Sequence, residues 1–79
     1  MLFPDDLEEV TNDYFSDDIS FFINSKEDDL IGFHMNFGMF LRNHYKMWHM
    51  SEQEKLDNNY LHPDDLSYKY ILEAHRIIK

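Results

Sequence analysis

Cysteine is absent from the chain, and its absence removes disulfides, thiolate metal sites and cysteine nucleophiles together. A secreted domain this small ordinarily needs such staples, so the chain is expected to be cytoplasmic. Lysine and arginine are absent from residues 1–25, which carry Asp5, Asp6, Glu8, Glu9, Asp13, Asp17 and Asp18. Affinity for nucleic acid rests on cations that neutralise phosphates, and an anionic bilayer repels the same surface. Direct binding to DNA, RNA or a membrane is therefore not expected. No apolar run approaches the roughly 18 residues of a membrane span, and no basic segment precedes an apolar one at the start, so neither anchor nor leader is expected. Alternation of apolar and polar residues, the mark of a strand, is also missing.

Against these gaps stand 43% hydrophobic and 16% aromatic residues in a chain of 79. That content can build a core despite a net charge of -9. The chain is too short to divide, so residues 1–79 are expected to form a single small helical domain. The fold predicted is all-α, a compact bundle of four to five helices around a central helix at about residues 26–48.

Both prolines open helices. Phe3-Pro4-Asp5-Asp6-Leu7 reads as a helix start, because proline loses nothing in the first turn and the acidic pair faces the positive end of the helix dipole. Leu7, Val10 and Tyr14 then share one side. Ser16 can cap a second short helix, with Asp17 and Asp18 in its first turn and Ile19, Phe22 and Ile23 as its buried face. Ser25-Lys26-Glu27-Asp28 resembles a capping box that opens the central helix. There Leu30, Ile31, His34, Phe37, Gly38, Leu41, Tyr45 and Trp48 share one face at α-helical spacing, with Phe33, Phe40 and Met47 as a second stripe. A helix apolar over so much of its circumference is buried on most sides, or lends one stripe to a subunit interface. Ser51-Glu52-Gln53-Glu54 is a second capping box. His62-Pro63-Asp64-Asp65-Leu66-Ser67 starts the last helix, whose apolar face is Leu66, Tyr70, Ile71, Ala74, Ile77 and Ile78.

Both glycines, Gly32 and Gly38, lie in the central stretch. His34, Gly38 and Arg42 follow one another at a turn's spacing, which would suit an Arg fork holding a carboxylate or phosphate beside a close backbone approach. The same spacing suits plain packing, with Gly38 admitting a crossing helix, Arg42 paired to Asp64 or Asp65, and His34 a hydrogen-bonded core residue. Metal binding is not expected: His44 and His49 are five apart and do not stack on one helical face, and no H-x3-H pair exists. Neither a nucleophile elbow nor a phosphate-binding glycine loop is present, and the acidic residues sit in first turns or on polar faces. The chain is therefore read as no enzyme, with no catalytic residues and no cofactor.

His34-x3-Gly38-x3-Arg42-Asn43-x4-Trp48, followed by His62-Pro63-Asp64-Asp65-Leu66-Ser67, resembles a small bacterial or phage domain family of unknown function. Its members carry an H-x3-G-x3-RN-x4-W block and a later HPDD-(M/L)-S block. The early segment Pro4 to Glu9 is also similar, whereas the link before HPDD is shorter here and Met47 stands where Leu is more usual. The resemblance implies that His34, Arg42, Asn43, Trp48, His62, Asp64 and Asp65 form one constellation for a partner or ligand, and it names no reaction. The function expected is a small acidic protein-interaction module, of the inhibitor or immunity and anti-defence kind, that binds a protein partner with a basic surface. The acidic arm would then be either a decoy for that surface or a merely solvated face. The alternatives are a domain that binds an anionic metabolite or nucleotide through His34, Arg42 and Asn43, and a homodimer built on the second aromatic stripe.

Overall fold

A computed structural model describes residues 3–59 and 61–79. Every regular element in them is helical: α1 (Leu7–Phe15), α2 (Ile19–Asn24), α3 (Met39–His44), α4 (Glu52–Asp57) and α5 (Pro63–Ile78), joined by tighter and wider helical turns. The all-α bundle expected from the sequence is present. None of these helices is long and apolar enough to cross a membrane.

Side-chain caps account for the starts of α4 and α5, and three expectations are corrected. Ser16 does not cap α2, which starts at Ile19 with Asp18 in the cap position and no side-chain cap bond. Helix α1 begins at Leu7, so Pro4 lies ahead of the helix; Asp6 occupies the cap position without a side-chain cap bond, and Glu8 and Glu9 are the acidic residues of the first turn. Ser25 does not form the expected capping box. Its hydroxyl donates to the Phe21 carbonyl at 2.8 Å, closing α2, and the following segment starts after Lys26 without a side-chain cap. The box at Ser51 does form: Glu54 N–H donates to Ser51 Oγ at 3.2 Å, and Ser51 N–H to Glu54 Oε2 at 3.4 Å. His62 caps α5 by accepting from Asp64 N–H at Nδ1, 3.1 Å away, with Pro63 in the first turn.

The central segment occupies the expected place but winds in three ways. Glu27–Phe33 is a 3-10 stretch, His34–Gly38 a π stretch and Met39–His44 regular α-helix. Seven residues is long for a 3-10 helix, which turns faster than an α-helix, whereas a π turn is slower. The two departures offset each other in part, so Leu30, Phe37 and Leu41 all still point inward and are fully buried. Ile31 swings out instead. The segment stops at His44 because Lys46 takes a left-handed conformation at φ 54, after which Met47–His49 form a separate turn. Trp48 thereby leaves the buried face that α-helical spacing assigned to it.

Helix α5 lies across all three windings and also meets α1 and α2. Its Leu66, Ile71 and Ala74 join Leu7, Phe22, Leu30, Phe37 and Leu41 in the core. Around Phe37 the aromatic rings interlock: Phe15 stacks on Phe22 at 4.6 Å between centroids and meets Phe37 edge-on at 4.9 Å. Such pairs add directional attraction to the area they bury. Phe15 is the more deeply buried of the two rings that α1 brings to Phe37; Tyr14 stacks on Phe37 at 5.0 Å from the rim.

Candidate functional site

Arg42 is the most deeply buried charge in the constellation, 5% exposed on α3. Its Nη1 donates to Ser67 Oγ at 3.0 Å and lies 3.5 Å from Asp64 Oδ1. Ser67 in turn donates its proton to the Asp64 carbonyl at 2.9 Å. A Cβ on Gly38 would sit 3.2 Å from Arg42 Nη1 and 3.5 Å from Ser67 Oγ. Glycine one turn before Arg42 thus leaves room for the guanidinium to turn toward α5. The acidic partner is Asp64; Asp65 is exposed and makes no side-chain hydrogen bond or ion pair among the described residues.

The chain of contacts continues outward. Asp64 Oδ2 is 3.7 Å from His62 Nδ1, and the His62 ring meets Trp48 edge-on at 5.7 Å. Because Nδ1 accepts the cap bond, the neutral ring carries its proton on Nε2. Arg42, Asp64, His62 and Trp48 therefore stand together. Asn43 is exposed on the outer side of α3 and makes no side-chain hydrogen bond among the described residues. His34 is half-buried with Nδ1 enclosed and without a partner, and makes no hydrogen bond to Arg42. The arrangement docks α5 onto the central segment; its serine faces an arginine and a carbonyl, neither of which can accept a nucleophile's proton as a general base.

Ser67 went unrecognised as a partner of Arg42 in the sequence. The usable signal was its place three residues after Asp64, on the same face of α5. A second contact had no local signal: Tyr45 Oη donates to Asp6 Oδ1 at 2.9 Å, across 39 positions. Burial, together with this bond to a carboxylate, pushes the Tyr45 phenol well above the usual tyrosine range. Burial raises Tyr70 in the same direction. At the far end of α5, two 2.7 Å bonds from Arg76 hold the Glu73 carboxyl below the usual carboxylate range.

Of the acidic arm, Asp5, Asp6, Glu8, Glu9 and Asp13 border one shallow groove of about 410 Å³ with Asn12. Asp17 and Asp18 are exposed beyond the end of α1. A separate groove of about 510 Å³ runs between the start of the central segment and α5, walled by Leu30, Leu72 and His75 among others; His34, Arg42 and Asn43 are not on its walls. Among the described residues no three His, Asp or Glu side chains are grouped to hold a metal ion. Large apolar side chains remain in solvent: Phe21 is 71% exposed, Met35 67% and Ile31 57%, with Met39, Trp48 and Leu56 near half.

No curated protein and no solved structure matches the chain. A family model does, over residues 4–77, which takes in the acidic arm, the central segment and the HPDD turn. The chain belongs to the family described as Domain of unknown function (DUF6794).

Proposed function

We propose that this chain is a small acidic protein-interaction module that acts by occupying the surface of a partner protein, in the manner of an inhibitor or immunity protein. The carrying observation is the exposure of Phe21, Met35 and Ile31, at 71%, 67% and 57%, in a chain whose first 25 residues carry seven carboxylates and no Lys or Arg. Exposed aromatic, Met and Ile side chains together with a surface of one charge are what a protein interface uses: apolar anchors supply affinity, and the charge steers encounter. The inward turn of Arg42 to Ser67 and Asp64 favours this reading over an anion pocket built on His34, Arg42 and Asn43. A basic surface on the partner matches the charge of the arm.

Affinity capture from the lysate of the native host tests the reading. Tagged protein is expected to retain one stoichiometric protein at low salt, released as ionic strength rises, and less of it when Glu8, Glu9 and Asp13 are replaced by their amides. Retention of no protein, with a small molecule released on denaturing the purified chain, would overturn it in favour of ligand binding.

A further inference from the structure

Two grooves flank the Phe21 ring. One, of about 530 Å³, runs past Gly32 to Asp29; the other, of about 500 Å³, runs past Tyr14 to Asp18; both share Phe21, Phe33 and Asn36. Phe21 leans on Phe33 at 6.0 Å and is otherwise 71% in water. A continuous aromatic ridge therefore separates two hollows, each ending in a carboxylate.

Gly32 is unexplained by the fold. A Cβ there would meet nothing within 4 Å, and its φ is not in the left-handed region, so neither space nor backbone conformation calls for glycine. Alanine would favour the helix. What the missing side chain does leave is an open floor beside Phe21.

We propose that this face is the docking surface for a segment of a partner protein that presents two arginines on either side of one apolar side chain. The arginines would lie against Phe21 and Tyr14 and pair with Asp29 and Asp18, while the apolar residue sits over Gly32. Guanidinium suits such a site because it is weakly hydrated, stacks on aromatic faces and pairs with carboxylates. A second copy of the chain does not suit it: an isologous contact sets the same patch against itself, bringing two acidic faces together in a chain of net charge -9 and supplying no arginine, since the patch has none.

This inference rests on the partner-binding reading and refines it. The probe is a short synthetic peptide with two arginines flanking a leucine, and its counterpart with glutamates for the arginines, each titrated into isotope-labelled protein. Saturable amide shifts are expected at Phe21, Gly32, Phe33 and Asn36 with the arginine peptide alone. Phe21→Ser and Gly32→Ala should each weaken binding about tenfold, although Gly32→Ala should also raise the melting temperature, a combination that a packing role for Gly32 does not produce. Asp18→Asn and Asp29→Asn should weaken binding and reduce its salt dependence. A flat titration to about 1 mM, shifts confined to residues 5–13, or equal affinity in the Phe21 and Gly32 variants would overturn the proposal. Self-association that Phe21→Ser abolishes would assign the face to a second copy instead. Both variants are carried through the lysate capture: a partner retained equally by wild type and variants sinks the groove and leaves the module reading standing, whereas a wild type that retains no protein sinks the module reading itself.

Discussion

Arg42 and Asp64 are unequal partners. The guanidinium side chain is 6% exposed, whereas that of Asp64 keeps 47% of its surface in solvent. Taking away the carboxylate strands a buried charge; taking away the arginine leaves a carboxylate that water and a helix N-terminus both accommodate. Asp64→Ala is therefore expected to destabilise the fold by about 2–4 kcal/mol and Arg42→Met by about 1 kcal/mol or less, read from urea unfolding of the two variants. The reverse order would show that the packing of the Arg42 stem, and not its charge, joins α3 to α5. The pair itself was legible, because an arginine in an apolar helix needs an acid and the HPDD turn offers two. That it would be Asp64 followed from nothing local: the choice depends on Ser67 and Gly38, which approach one another only once α5 crosses the central segment.

Contacts between distant parts of the chain were not readable, and element ends set by neighbours were readable only where one local bond had no local competitor. The serines at Ser25 and Ser51 present the same capping pattern, yet only Ser51 forms the box, because the Ser25 hydroxyl is taken by the preceding helix. The inward positions Leu30, Phe37 and Leu41 were visible as a periodic stripe; the change of winding between them was not, since the stripe survives it. The bond from Tyr45 at the end of α3 to Asp6 ahead of α1 is the other contact that periodicity misses. It carries a pH signature. The folded chain holds the Tyr45 proton more tightly than the unfolded chain does, so this contribution is complete below the unfolded tyrosine value, about pH 10, and is lost as pH rises from there through the raised folded value. Melting temperatures are expected to fall above about pH 10, and Tyr45→Phe to soften that fall; identical alkaline limbs for the two proteins would show that the bond does not form in solution. Tyr70, raised by burial, leaves part of the effect in place.

At the scale of the whole molecule the imbalance of charge governs behaviour. The chain measures 37 × 23 × 18 Å between its Cα extremes and carries a net -9. At about 10 mM salt the screening length, about 30 Å, spans most of that, so carboxylates on opposite sides repel; at about 150 mM it shrinks to about 8 Å and only neighbours interact. Compactness is opposed by such self-repulsion. The melting temperature at pH 7 is therefore expected to rise between those two salt concentrations, and amide replacement of Glu8, Glu9 and Asp13 to shrink the rise. A melting temperature that falls with salt would mean that ion pairs such as Arg42 with Asp64, Lys55 with Glu52 and Arg76 with Glu73 outweigh the repulsion.

The mixed winding of residues 27–44 has a consequence for how this chain can change over generations. A 3-10 turn advances about 2.0 Å per residue where an α turn advances about 1.5 Å, so a span with fixed ends can hold a different number of residues simply by exchanging one winding for another. Leu30 and Leu41 are the fixed ends here, both fully buried. Between Leu30 and His34, gain of a single residue can be absorbed by exchanging three 3-10 residues for four α residues, both about 6 Å long, with both leucines left in place. Helix α5, wound as α throughout, has no such reserve. Variation in length within the family should therefore collect ahead of His34, inside the 3-10 stretch, since the block from His34 to Trp48 has a set spacing.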